Sequence, residues 1–189
     1  MLDRVLDFFS GELNAYFQAK TGVVGDTVSA GPIVNDSGKY AIQENSIAAT
    51  IINIEEDAIL RDQLAEVRYQ QNQHVTLEPK LKLNIYVLFS ANYTRYDQAL
   101  KHLSLVLSYF QSQRVFTSTN FPNLNSAINR LSVEMQTLSY DQLNQIWAYI
   151  GGKHLPSVLY RVRLVSIQDE SLSNVQPPLT TINIQTGGQ

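Results

Sequence analysis

The first apolar positions of the chain recur with helical spacing. Leu2, Val5, Leu6, Phe9, Leu13, Tyr16 and Phe17 lie three or four apart with polar residues between them, which predicts an amphipathic helix. Its stripe needs cover, either from the body of the protein or from a partner. Residues 21–44 are rich in Gly, Ser, Asp and Asn and read as a loop or a loose hairpin around the turn "NDSG". The uncharged, β-branched run "SIAATIINI" then predicts a buried strand, followed by the polar loop "AEVRYQQNQHVTLEP".

The period changes to two at "LKLNIYVLFSA". Leu81, Leu83, Ile85, Val87 and Phe89 face one side; Lys82, Asn84, Tyr86, Leu88 and Ser90 face the other. A helix follows in "YDQALKHLSLVLSYFQ", with Tyr96, Ala99, Leu100, Leu103, Leu107 and Phe110 as its stripe. "RLSVEMQTL" alternates as a half-buried strand. Ser139 then stands three before Gln142, a capping-box spacing, and Gly151-Gly152 ends the helix "YDQLNQIWAYI". The last clear strand, "PSVLYRVRLVSI", sets Val158, Tyr160, Val162 and Leu164 against Leu159, Arg161, Arg163 and Val165. The tail is polar, but "LTTINIQ" inside it has strand character. Strands and helices mix without βαβ alternation. The expected class is α+β: a single domain over residues 1–168, a twisted mixed sheet flanked by helices, with residues 169–189 an extended tail.

Composition narrows the functional classes. The chain has 189 residues, 44% hydrophobic and 16% charged, with a formal net charge of -3, so no global field favours nucleic acid or an anionic membrane. Cysteine is absent, which excludes disulfides, thiol nucleophiles and Cys-ligated zinc. Acids at Asp3, Asp7 and Glu12 spoil a signal-peptide pattern, and no apolar run approaches the ~20 residues of a membrane span. The expectation is a protein assembled in the cytoplasm and released, if at all, by other means.

The candidate chemistry centres on "NIEEDAILRD". Glu55, Glu56 and Asp57 are adjacent, and strand geometry sends Glu55 and Glu56 to opposite faces. Glu55 and Asp57 converge only if the strand continues; otherwise the acids open a helix and pair with Arg61. His74, His102 and His154 are far apart, and no H-E-x-x-H, Walker or G-x-S-x-G motif is present. A small metal-dependent hydrolase using Glu55, Asp57 and His74 is the enzymatic alternative; the preferred expectation is no catalysis, no cofactor and no metal. Arg161 and Arg163 share a strand face about 7 Å apart, so they either line a solvated sheet edge or hold an anionic group between them. The acids near Glu55 are the expected partners, within the chain or across an interface. Ten tyrosines fit an assembly component better than a free monomer.

Read together, "NIEEDAILRD", "LKLNIYVLFSANYTRYDQALKHLSLVLSYFQSQRVF" and "MQTLSYDQLNQIWAYIGGKHLPSVLYRVRLVSI" resemble the N-terminal domain family of the cap, or tail-terminator, proteins of extracellular contractile injection systems. The resemblance runs from Leu2 to Ile167. It implies a terminator-like fold and a structural role: a ring, usually a hexamer of the chain itself, at the distal end of inner tube and sheath, which stops polymerisation and ties the two together. The implied partners are tube and sheath proteins and sibling cap proteins, with neither nucleic acid nor membrane. A neck or baseplate adaptor of the same kind of particle is the alternative. The family supplies no catalytic residues. The expected interface residues are Glu55, Glu56, Arg61, Arg161 and Arg163, with Leu179, Ile182 and Ile184 of the tail adding as a strand to a neighbour's sheet edge.

Overall fold

The computed structural model describes residues 2–22, 25–57, 66–70, 73–77, 82–166 and 174–176. Helix α1 is Leu2–Thr21, and β1 (Val28–Ala30) and β2 (Ser46–Glu56) follow. Strands β3 (Glu66–Gln70) and β4 (Gln73–Leu77) form a hairpin, then β5 (Lys82–Asn92) leads into α2 (Tyr96–Ser112). The chain continues through β6 (Val115–Thr117), β7 (Ile128–Gln136), α3 (Tyr140–Ile150), β8 (Ser157–Ser166) and β9 (Asn174–Gln176).

Six strands form one mixed sheet in the order β1-β2-β5-β8-β7-β6, in which only the β1–β2 pair is parallel. The expected α+β class is the one observed. The stretch read as a polar loop after Asp57 instead contains the β3–β4 hairpin. With β9 it makes a second, three-stranded sheet in the order β3-β4-β9. These strands continue the chain of β2, β5 and β8 in the same lateral order. The hairpin was missed although Val67 and Tyr69 alternate with Glu66, Arg68 and Gln70, and Val75 and Leu77 flank Thr76: each run is only five residues long and is set among polar residues. The expected boundary at residue 168 lies outside the described residues.

Two hydrophobic layers hold the sheet. On one face Val5, Phe9, Leu13 and Phe17 of α1, with Ala99, Leu103, Val106 and Phe110 of α2, cover Ile47, Ile85, Val87, Phe89, Leu131, Tyr160, Val162 and Leu164. On the other face Trp147 of α3, with Ile33 and Ile42 from the loop before β2, covers Ala48, Leu88 and Leu159. The α1 stripe therefore packs on the body. In α2 the buried face is turned from the expected one: Tyr109 and Val106 point inward, while Tyr96 and Leu100 are exposed. Both rows have helical spacing, and only the sheet decides which is covered.

Two local devices fix the edges. The Asn14 side chain donates to Val28 O (2.9 Å) and accepts from Val28 N (2.8 Å), so α1 pairs with β1 as a strand would. At α3, Gln142 N donates to Ser139 Oγ (3.3 Å) and Ser139 N donates to Gln142 Oε1 (2.9 Å), completing the expected capping box. Gly151 ends that helix at φ 76°, a left-handed conformation that glycine adopts without a Cβ penalty. No described helix is long and apolar enough to cross a membrane.

Candidate functional site

The polar half of the sheet lies on the α3 side, beyond the reach of α3. A register shift between Ile51 and Asn53 creates it: Ile51 pairs with Val87, yet Asn53 pairs with Tyr86. One residue is inserted, and the facing of β2 reverses beyond it. The strand then runs on to Glu56, so Glu55 and Glu56 are extended; the expected helix start toward Arg61 lies outside the described residues. Ladder neighbours keep the strand going because Asp57 N still donates to Lys82 O at 3.0 Å.

With that phase, Asn53, Glu55 and Asp57 share the face of Tyr86, Asn84, Arg161 and Arg163. Glu56 pairs with Leu83 and takes the opposite face. The Tyr86 hydroxyl donates to Glu55 Oε2 at 3.1 Å, and Asn53 Nδ2 donates to Glu55 Oε1 at 2.9 Å. Burial first, and then the Glu55 carboxylate, push the Tyr86 hydroxyl above its ordinary pKa. Arg161 Nη2 donates to Glu134 on the neighbouring β7. A polar ladder thus crosses four strands, Glu55–Tyr86 on one half and Arg161–Glu134 on the other.

Asp57 is the buried member of the group. Its side chain is 5% exposed, and its Oδ2 lies 3.1 Å from Arg163 Nε. The contact is a charge pair without an aligned hydrogen bond, since neither atom makes one within the described residues. The acid beside Arg163 is therefore Asp57, whereas Arg161 takes Glu134 of β7. Cross-strand register links these pairs, and register is not written in either segment alone.

The other expected site residues are not gathered here. Arg61, Leu179, Ile182 and Ile184 lie outside the described residues. His74 sits on β4 opposite Gln176. His102 stacks on Tyr93 (4.7 Å between centroids, 18° between planes), and His154 meets the edge of Trp147. No cluster of three His, Cys, Asp or Glu side chains able to hold a metal occurs among the described residues. Glu55 and Asp57 share a face, each is engaged by a structural partner, and no nucleophile or histidine joins them among the described residues.

The charged pair at the surface gives a measurable pH effect. The Arg161 hydrogen bond holds the Glu134 carboxyl below its ordinary range. A carboxyl whose folded pKa is depressed adds stability above its unfolded pKa and loses it as pH falls through the folded value. The pair is solvent-exposed on the Glu134 side, so the gain is at most about 1 kcal/mol. Glu134→Gln is therefore expected to unfold at slightly lower urea at neutral pH. The difference should vanish in acid below the carboxylate range, as equilibrium unfolding at both pH values would show.

A groove of about 400 Å³ runs between the end of β2 and α3, floored by Ile52, Tyr86 and Leu159 and walled by Gln142, Gln145 and Tyr149. It is an open surface of mixed polarity and not a closed cleft. The same chain matches the Pvc16 N-terminal domain family over residues 5–181. This chain belongs to that family. Two solved structures share the fold of this Pvc16 N-terminal domain chain. One is the sheath/tube terminator of the PVC extracellular contractile injection system in its extended state, with a TM-score of 0.69 and 14% identity. The match covers 100% of this chain and 64% of that one. The other is the tube-terminating cap of the anti-feeding prophage, with a TM-score of 0.62, 16% identity, 94% of this chain and 60% of that one. The chain thus spans less than two thirds of each of those proteins. No curated protein matches it in sequence.

Proposed function

We propose that this chain caps the tube and sheath of a contractile injection particle, as a subunit of a terminating ring. The observation that carries the reading is the family match over residues 5–181, joined to a shared fold with two terminators over 94–100% of the chain. The site chemistry supports it. Every acid and arginine of the polar ladder is committed to holding strands together, as a structural subunit requires and a hydrolase does not.

In this reading the ring is a homo-hexamer assembled before release of the particle, and its neighbours are tube, sheath and sibling cap proteins. Glu55 and Glu56, near the end of the edge strand, are the acids proposed to meet a neighbour; Arg161 and Arg163, which pair with Glu134 and Asp57 within the chain, are proposed contacts beside them. Arg61 and the tail residues Leu179, Ile182 and Ile184 are the further proposed contacts, the tail as a strand added to a sheet edge. A tagged chain, co-assembled with tube and sheath proteins, is expected to appear at one particle end in negative stain and to hold sheath length constant. A chain ended at Gln176 should stay folded and lose length control. Label spread along the particle, or sheaths of unchanged length without the protein, would overturn the cap reading.

A further inference from the structure

Among the described residues, the β1 edge of the sheet is only half covered. Strand β1 pairs with Ile47–Ala49 of β2, and Gly31 N closes on Ala49 O at 3.2 Å. Beyond that point, no described strand pairs with the outer side of residues 51–56. The Asp57–Lys82 hydrogen bond sets the alternation: Asn53 and Glu55 point their backbone groups at β5, and Ile54 points its N–H and C=O outward. Ile54 is also 43% exposed, and the groove beneath α3 runs alongside.

The edge is held shut by its own side chains. Ile54 N–H donates to Asn53 Oδ1 at 2.9 Å, while Asn53 Nδ2 donates to Glu55 Oε1 at 2.9 Å. Asn53 thus occupies the outward donor that an added strand would need, and the Glu55 carboxylate keeps Asn53 in place. Such self-capping blunts an edge that would otherwise pair indiscriminately.

We infer that residues 51–56 accept an extended, basic segment of a partner protein as an added strand, with alternate side chains entering the groove between β2 and α3. Charge selects this occupant. A Lys or Arg meeting Glu55 competes for the carboxylate, releases Asn53 and frees Ile54 N–H for the incoming carbonyl. The chain's own residues 177–189 contain no Lys or Arg and are a poorer match. The inference stands apart from the cap reading: strand capture can be measured without a ring, and loss of length control with capture intact would count against the cap reading alone.

The test is selection from a displayed library of random peptides of about ten residues on the intact chain, followed by backbone amide shift mapping. Selected peptides should carry Lys or Arg and shift the amides of residues 51–56. Glu55→Gln should weaken them about tenfold, the scale of a charge-assisted hydrogen bond. Asn53→Ala should tighten them about fivefold, because the outward donor no longer has to be released. No enrichment, shifts elsewhere, or equal binding to Glu55→Gln would overturn the inference. So would a self-associated wild type that Glu55→Gln dissolves, which assigns the edge to a second copy. A peptide bound only after deletion of residues 177–189 assigns it to the chain's own tail and also overturns it.

Discussion

Phe9→Asp is expected to abolish the cooperative fold, and Phe9→Ala to cost about 3–5 kcal/mol of a total near 5–15 kcal/mol. Phe9 is 0% exposed in the middle of α1. Its ring meets Phe110 edge-on (5.5 Å, 85°) and Phe116 (5.5 Å, 74°), with Phe8 at 5.6 Å. Phe110 in turn lies 4.7 Å from Tyr160 of β8, so one ring joins α1, α2, β6 and the sheet centre. Alanine would remove the aromatic contacts and leave a cavity between elements that cannot close independently. Aspartate would add an unpaired charge to the same site. Urea unfolding followed by tryptophan fluorescence checks this, with Tyr140→Asp, at a 92% exposed position, as the unaffected control. A Phe9→Asp chain that melts like the wild type would mean that the α1 stripe serves an outside partner.

The second large effect concerns Asp57 and Arg163. Removing Arg163, as in Arg163→Met, leaves the Asp57 carboxylate buried without its counter-charge. Breaking a fully buried pair from one side costs about 3–5 kcal/mol; Arg163 is 40% exposed, so about 1–3 kcal/mol is expected here. Replacing both, as in Asp57→Asn with Arg163→Met, removes the stranded charge, so the double variant should recover a large part of that loss. The signature is strong non-additivity in a double-mutant cycle measured by chemical denaturation. Purely additive costs would show that the 3.1 Å contact contributes little. Because the pair bridges β2 to β8 across β5, the Arg163→Met chain should also lose amide-exchange protection first at Glu55–Asp57, where β2 ends.

A single-sequence reading went far on this chain, for identifiable reasons. The caps of α3 were legible because Ser139, Gln142 and Gly151 act on backbone groups within their own turn. The facing of β5 and β8 was legible because both strands keep an unbroken period of two across the sheet centre. The family was legible from the order of several such segments. The β3–β4 hairpin was not, since the alternation of Val67 with Tyr69 and of Val75 with Leu77 spans only five residues per strand within a polar stretch. The buried side of α2 was legible only in part: Ala99, Leu103 and Phe110 are buried as expected, but Tyr96-Leu100 and Val106-Tyr109 compete as helical rows until a sheet is laid against one of them.

The acidic stretch divides the two kinds of information most sharply. By itself the sequence determined that Glu55 and Glu56 part to opposite faces if the strand reaches them, that no nucleophile or histidine accompanies them by motif, and that Arg161 and Arg163 share one strand face. Only the tertiary structure decided which acid meets which arginine. The extra residue between Ile51 and Asn53 reverses the facing of β2 and turns Asn53, Glu55 and Asp57 toward Arg161 and Arg163. A bulge exists only relative to the strand it opposes. The register of β2 on β5, and of β8 on both β5 and β7, is set by packing across the whole sheet and by no local run of residues.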